Sequence, residues 1–174
     1  MNKRIFIAIN FDASFLKNDL EKIKEELENE PIKWVEMGNI HLTILFIGSK
    51  PVEKIGLVER AIDKNIGGIP PFKMTLKSLG IFSGVLWVGV DMLRGDHTIK
   101  KELEKNFDIK HQGFSPHITL GRFKGEINEK KIYNLIKKYK NHIFGSATVK
   151  SMDLMESVLN HVGPKYKVLK KFEL

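Results

Sequence analysis

Apolar residues recur along the chain in two rhythms. The first has a period of two. It runs through "RIFIAINF" (4–11), "NIHLTILFIG" (39–48), "FKMTLKSLGIF" (72–82), "VLWVGVDM" (85–92) and "FSPHITLGRF" (114–123), each of which reads as a β-strand. The second has a period near 3.6. Leu16, Leu20, Ile23 and Leu27 predict a helix over 13–29, with Asp12 or Ser14 as its cap and Pro31 closing it. Val52, Ile55, Ala61, Ile62 and Ile66 predict a second helix over 52–66. Ile99, Leu103 and Phe107 predict a third over 96–107. Ile132, Leu135, Ile136 and Tyr139 predict a fourth over about 128–141, capped by Asn128. A short strand at "KWV" precedes a turn at Gly38-Asn39, and another turn falls near Ser83-Gly84. "SATVKSMDLMESVL" and "KYKVLKKFEL" close the chain as two strands separated by 160–164.

Strands and helices interleave, yet several consecutive strands read as antiparallel neighbours. That pattern predicts an α+β fold rather than a doubly wound parallel sheet. The halves share a grammar of one "H-[LI]-T-[LI]" strand and two helices, a pseudo-repeat on the scale of a lobe. A length of 174 residues suits one domain, or two lobes around a shared core. No apolar run approaches the ~20 residues that cross a bilayer. The opening "MNKRIFIAINF" reads as a first strand rather than a signal peptide, so the expectation is a cytoplasmic protein, no membrane partner and a monomer.

Composition narrows the chemistry. The chain has no cysteine, which excludes disulfides, thiolate nucleophiles and Cys-based zinc sites. Its net charge of +8 favours an anionic partner such as nucleic acid or a phosphate ester. Much of that lysine, however, sits in "EKIKEELE" and "KKIYNLIKKYK", where a solvated helix face accounts for it. Abundant Lys and Glu without Cys also fits a heat-adapted protein.

The phrase His-x-Thr occurs twice, in "NIHLTILFIG" and in "FSPHITLGRF". With six His in the chain, chance placement gives on the order of 0.2 such pairs. In a strand, residues i and i+2 share a face. Ile40, Leu42 and Ile44 therefore turn one way and His41 and Thr43 the other; Pro116, Ile118 and Leu120 oppose His117 and Thr119 in the same manner. Each strand can bury its aliphatic face and still present an imidazole and a hydroxyl on the opposite face. An imidazole with an ordinary pKa of about 6.5 both accepts and donates protons near neutrality. Two of them flanking a phosphorus atom suit general acid–base catalysis of phosphoryl transfer, with threonine hydroxyls donating to non-bridging oxygens. Neither phrase holds a second ligand at metal spacing. G-x-S-x-G and P-loop motifs are absent from the sequence.

Two such phrases, together with "RIFIAINF", "PFKMTLKSLGIF", "VLWVGV" and the closing "ESVLNHVGPKYKVLKKF", resemble the 2H phosphoesterases over nearly the whole chain. The similar branch is that of the LigT-like RNA 2′,3′-cyclic phosphodiesterases, also called 2′-5′ RNA ligases. The resemblance implies one bilobal domain over 1–174, with an antiparallel sheet and outer helices in each lobe and one His-x-Thr from each lobe in a central cleft. It implies hydrolysis of an RNA terminal 2′,3′-cyclic phosphate to a 2′-phosphate, without metal or nucleotide cofactor. His117 would activate water, His41 would protonate the departing 3′ oxygen, and Thr43 and Thr119 would hold the phosphate. The reverse direction, 2′-5′ ligation, is implied as well, and tRNA halves are candidate substrates.

Arg122 matches a basic position of the second motif and is a candidate phosphate ligand. Strict alternation puts it on the side of Ile118 and Leu120; only a bend near Gly121 brings it to His117. His97, His111, His142 and His161 lack the phrase and read as surface or capping residues. Phe46, Phe82, Phe123 and Trp34 could stack on a base, but strand aromatics are more often core. Tyr166 suits the cleft or the packing equally. Lys50 and Lys124 are candidates for steering RNA. A non-catalytic module that binds RNA ends fits the charge as well as an enzyme does.

Overall fold

The first long apolar run forms strand β1 (Asn2–Asn10), in which Ile5, Ile7 and Ile9 are fully buried. A computed structural model describes residues 1–92, 96–110, 114–159 and 164–174, without the side chains of 96–98 and 159. The other strands are β2 (Ile32–Trp34), β3 (His41–Pro51), β4 (Phe72–Phe82), β5 (Val85–Met92), β6 (His117–Phe123), β7 (Ile143–Val149), β8 (Ser151–Leu159) and β9 (Pro164–Glu173). The helices are α1 (Lys17–Glu26), α2 (Ile55–Ile66), α3 (Asp96–Asn106) and α4 (Glu129–Lys138). They match the four periodic segments. Short 3-10 turns at Ser14–Leu16 and Val52–Lys54 occupy the first residues expected to be helical. Asn128 caps α4 by accepting from the Lys131 N–H at 3.0 Å.

All strand pairs are antiparallel, in the order β7-β4-β5-β6-β3-β1-β8-β9, with β2 added against β6. Two four-stranded halves, β7-β4-β5-β6 and β3-β1-β8-β9, thus meet at the β3–β6 seam. The described residues form one backbone pair there, Leu42 with Ile118. Beyond it the strands part, and β2 takes the edge of β6 that β3 leaves, pairing Lys33 with Arg122. The chain is α+β, as its pattern predicts.

One face of the sheet is the core. Ile5, Ile7, Ile9, Leu42, Met74, Leu76, Leu86, Val88 and Ile118 join Leu20, Ile23, Ile62, Leu103 and Leu135 from the helices in one cluster. Each such aliphatic side chain contributes up to roughly 1.5–3 kcal/mol on burial. This cluster packs under the seam, where Leu42 and Ile118 are both 0% exposed.

"SATVKSMDLMESVL" is two strands, not one. The ladder partnered by β4 ends at Val149, and β8 begins at Ser151 between β1 and β9, in the other half. Lys150 is the crossing point, and its carbonyl accepts from the Leu174 N–H at 2.9 Å. No Gly or Pro marks the crossing, so the period-two pattern runs through it unbroken. The predicted turn after β4 is present: Ser83 and Gly84 both have positive φ, 45° and 72°, as a tight two-residue hairpin requires.

Candidate active site

The Leu42–Ile118 pair fixes where the two phrases meet. Both side chains enter the core, so the residues on either side of each point to the opposite face. His41 and Thr43 flank Leu42; His117 and Thr119 flank Ile118. His41 and His117 therefore stand diagonally across the Leu42–Ile118 pair, on the face away from the core. The strands splay beyond their single pair, and a cleft of about 930 Å³ opens over it. His41, Thr43, His117, Thr119 and Arg122 all line this cleft.

Arg122 arrives by a bulge. Trp87 of β5 pairs with Thr119, yet the next residue back, Leu86, pairs with Gly121, so Leu120 is an extra residue in β6. Leu120 and Gly121 are consecutively buried, the alternation resets, and Arg122 emerges on the face of His117 and Thr119. Gly121 also allows the close approach of β2, since a Cβ there would lie 2.7 Å from Ile32 Cδ1. The first phrase repeats the device. Thr43 pairs with Ala8 and Leu45 with Ile7, leaving Ile44 extra, and Phe46 emerges on the cleft face. Phe46 and Arg122 thus occupy corresponding places, five residues after their histidines.

Each imidazole is held in the same way. His41 Nδ1 lies 2.7 Å from the Asn39 carbonyl, and His117 Nδ1 lies 2.8 Å from the Ser115 carbonyl. A carbonyl only accepts, so each Nδ1 carries the proton, and in the neutral ring Nε2 is the nitrogen left to accept. Aromatic walls flank both rings. Phe6 and Tyr166 stand 5.4 and 5.0 Å from His41, and Phe82 and Trp87 stand 4.9 and 6.2 Å from His117. Phe6, Ala8 and Met155, with Tyr166 against them, form a small buried cluster beneath His41. Burial lowers the His41 pKa below the ordinary imidazole value, partly offset by the hydrogen bond to Asn39. Trp87 keeps its place over Gly80, where a Cβ would come within 2.2 Å of the indole.

The other residues singled out in the sequence divide. Phe123 packs against the core as strand aromatics usually do, and Trp34 packs there while also lining the cleft. Phe46 and Phe82 do not: they are 63% and 42% exposed and line the cleft. The bulge at Ile44 and the hairpin at Ser83-Gly84 put them there. Tyr166 lines the cleft as well as packing on Phe6. Lys124 lines it, whereas Lys50 lies far along β3, opposite Lys3. His142 bonds Asp19 at 2.9 Å, away from the cleft. The His97 side chain, His111 and His161 lie outside the described residues. Among the described residues, no three His, Asp or Glu side chains converge as a metal-ligand group. No helix among them is long and apolar enough to cross a membrane.

Comparison with known proteins places this cleft in a family. The sequence profile of the family described as LigT like Phosphoesterase matches residues 13–88. A protein of Methanocaldococcus jannaschii named RNA 2′,3′-cyclic phosphodiesterase is 31% identical, with the alignment covering 97% of this chain and 99% of that one. A protein of the same name from Archaeoglobus fulgidus is 30% identical over 98% of this chain and 99% of its own length. The crystal structure of E. coli LigT superposes with a TM-score of 0.79 at 24% identity, over 100% of this chain and 99% of that one, a match of fold. With full-length relatives on both sides and the same fold around the cleft, the chain belongs to the LigT-like phosphoesterase family.

Proposed function

We propose that the protein hydrolyses RNA ends that carry a 2′,3′-cyclic phosphate, leaving a 2′-phosphate and a 3′-hydroxyl. The observation that carries this reading is the placement of two histidines, each with Nδ1 tied to a carbonyl, on either side of one backbone pair at the floor of one cleft. The names of the full-length relatives support the substrate class.

In this reading His117 Nε2 takes a proton from water as its oxygen attacks phosphorus. The bond from phosphorus to O3′ breaks, and His41 donates its Nε2 proton to O3′. The Thr43 and Thr119 hydroxyls and the Arg122 guanidinium hold the non-bridging oxygens and offset the charge that grows on them. Afterwards His117 loses a proton to solvent and His41 regains one. His41 is partly desolvated in the free protein, which disfavours its charged form; the bound anion favours it, so substrate arms the acid. No step requires a metal. A 5′-hydroxyl in place of water would form a 2′-5′ bond by the same proton transfers. The chain acts in this scheme as a single bilobal domain, its lobes related by a pseudo-twofold axis through the seam.

Turnover of a cyclic-phosphate-ended oligonucleotide in the presence of a chelator tests the reading, with the product identified as 2′- or 3′-phosphate. His41→Ala and His117→Ala should each lower the rate by roughly 10²–10⁴. Binding without turnover would identify an RNA-end-binding module instead.

A further inference from the structure

Lys100 and Glu104 form an ion pair one turn apart on α3, and both line the cleft although they are only 7% and 3% exposed. Burying an ion pair costs the hydration of both charges, and apolar residues of the same size serve a packed wall as well. Lys before Glu is also the weaker order on a helix. Stability is a poor account of this pair; what it touches is a better one. The Lys100 ammonium stands 5.6 Å from the centroid of the Phe114 ring, within the range of a cation–π contact. Phe114 precedes Ser115, whose carbonyl accepts from His117 Nδ1 at 2.8 Å. The two carbonyls that orient the imidazoles are built differently. Asn39 belongs to a 3-10 turn (Met37–Asn39), and its N–H donates to the Glu36 carbonyl at 2.8 Å. Ser115 lies outside regular secondary structure; beside it, the Pro116 carbonyl accepts from the Val90 N–H at 3.0 Å.

We infer that Lys100, held by Glu104, is a positioning residue for His117. Its cation on the Phe114 ring fixes the Ser115 carbonyl, and that carbonyl selects the tautomer in which Nε2 is the proton acceptor. The inference rests on the phosphodiesterase reading above, in which His117 Nε2 takes the proton of the attacking water. With the carbonyl displaced, nothing keeps the proton of the neutral ring on Nδ1. A ring that carries it on Nε2 cannot act as the base there. His41 takes its tautomer from the 3-10 turn instead, and so serves as an internal control.

Ring nitrogen-15 shifts report the tautomers of His41 and His117 at about pH 9, where an ordinary imidazole is neutral. The wild type should carry the proton on Nδ1 in both. Lys100→Met with Glu104→Gln removes both charges without leaving either buried alone. In this variant His117 should become a mixture of tautomers while His41 stays as it is. Its kcat on a cyclic-phosphate-ended oligonucleotide should fall about tenfold, with KM changed by less than about twofold. Phe114→Leu, which leaves the ion pair in place, should have the same effects. Lys100→Arg keeps a cation for the ring and should retain both the tautomer and kcat. An unchanged His117 tautomer in the variants, or an unchanged kcat beside a shifted tautomer, would overturn the inference. So would an equal change at His41, the mark of a general loosening of the cleft. Absence of turnover by the wild type would overturn the phosphodiesterase reading, and the His117 tautomer in the variants would still decide whether Lys100 positions the ring.

Discussion

Leu42 and Ile118 face each other across the one described backbone pair that joins β3 to β6, and both are 0% exposed. Their burial turns the neighbouring His41, Thr43, His117 and Thr119 to the other face together. The core and the cleft are thus two sides of one junction. Leu42→Ala should cost about 2–5 kcal/mol, because the surrounding core fills the void only in part. It should also lower kcat at temperatures where the protein remains folded, since the seam sets the spacing of both rings. Ile118→Val, which keeps most of the packing, should cost about 0.5–1.5 kcal/mol and retain most activity. Denaturant titration and single-turnover rates check both.

The division of labour between the rings is tested by the leaving group. A cyclic substrate with sulfur in place of O3′ departs without protonation. His41→Ala should regain most of its missing rate on this substrate, and His117→Ala should not. Recovery in the His117 variant instead would exchange the two roles.

Burial lowers the His41 pKa, and Phe6 and Tyr166 are rings that stand against the imidazole. Tyr166→Ala should raise that pKa toward the ordinary value near 6.5. The charged form of His41 then persists to higher pH, and the break in the kcat/KM profile that belongs to His41 moves up with it. Titration of the imidazole resonances follows the same shift directly. No movement of either would remove Tyr166 as a source of the desolvation.

Gly80→Ala puts a methyl group where the Trp87 ring lies. The overpacking should cost on the order of 1–3 kcal/mol. The indole stands 6.2 Å from His117, and its displacement should lower kcat more than it raises KM. A loss of stability without any change in kcat would show that His117 does not depend on this wall.

Arg122→Lys keeps the charge but loses the planar fork of donors. It should recover only a small part of the kcat/KM that Arg122→Ala loses, which should be about 10²-fold if the guanidinium acts as an oxyanion donor. Steady-state kinetics of the two variants checks this.

Much of this was legible in the sequence because burial and function use the same alternation. Leu42 and Ile118 had to enter a core, and that alone placed His41, Thr43, His117 and Thr119 on the opposite face. The bulges were not legible in the same way. Counting by two sends Arg122 away from His117, and one extra residue at Leu120 reverses the count. Gly121 hinted at it, because a strand glycine often marks a bulge or a close backbone approach. Nothing comparable marks Ile44, so Phe46 read as a core aromatic when it is a cleft wall. The break at Lys150 was silent for a related reason: both β7 and β8 are strands, and a change of partner leaves no trace in local pattern.

In the proposed mechanism both imidazoles serve one phosphorus centre. A crystal structure of the protein with a nucleoside 2′-phosphate in the cleft tests this most directly. The expected result is one phosphate with its oxygens about 2.6–3.2 Å from the Nε2 atoms of both His41 and His117. A phosphate held by one ring, with the other turned to a separate pocket, would contradict it.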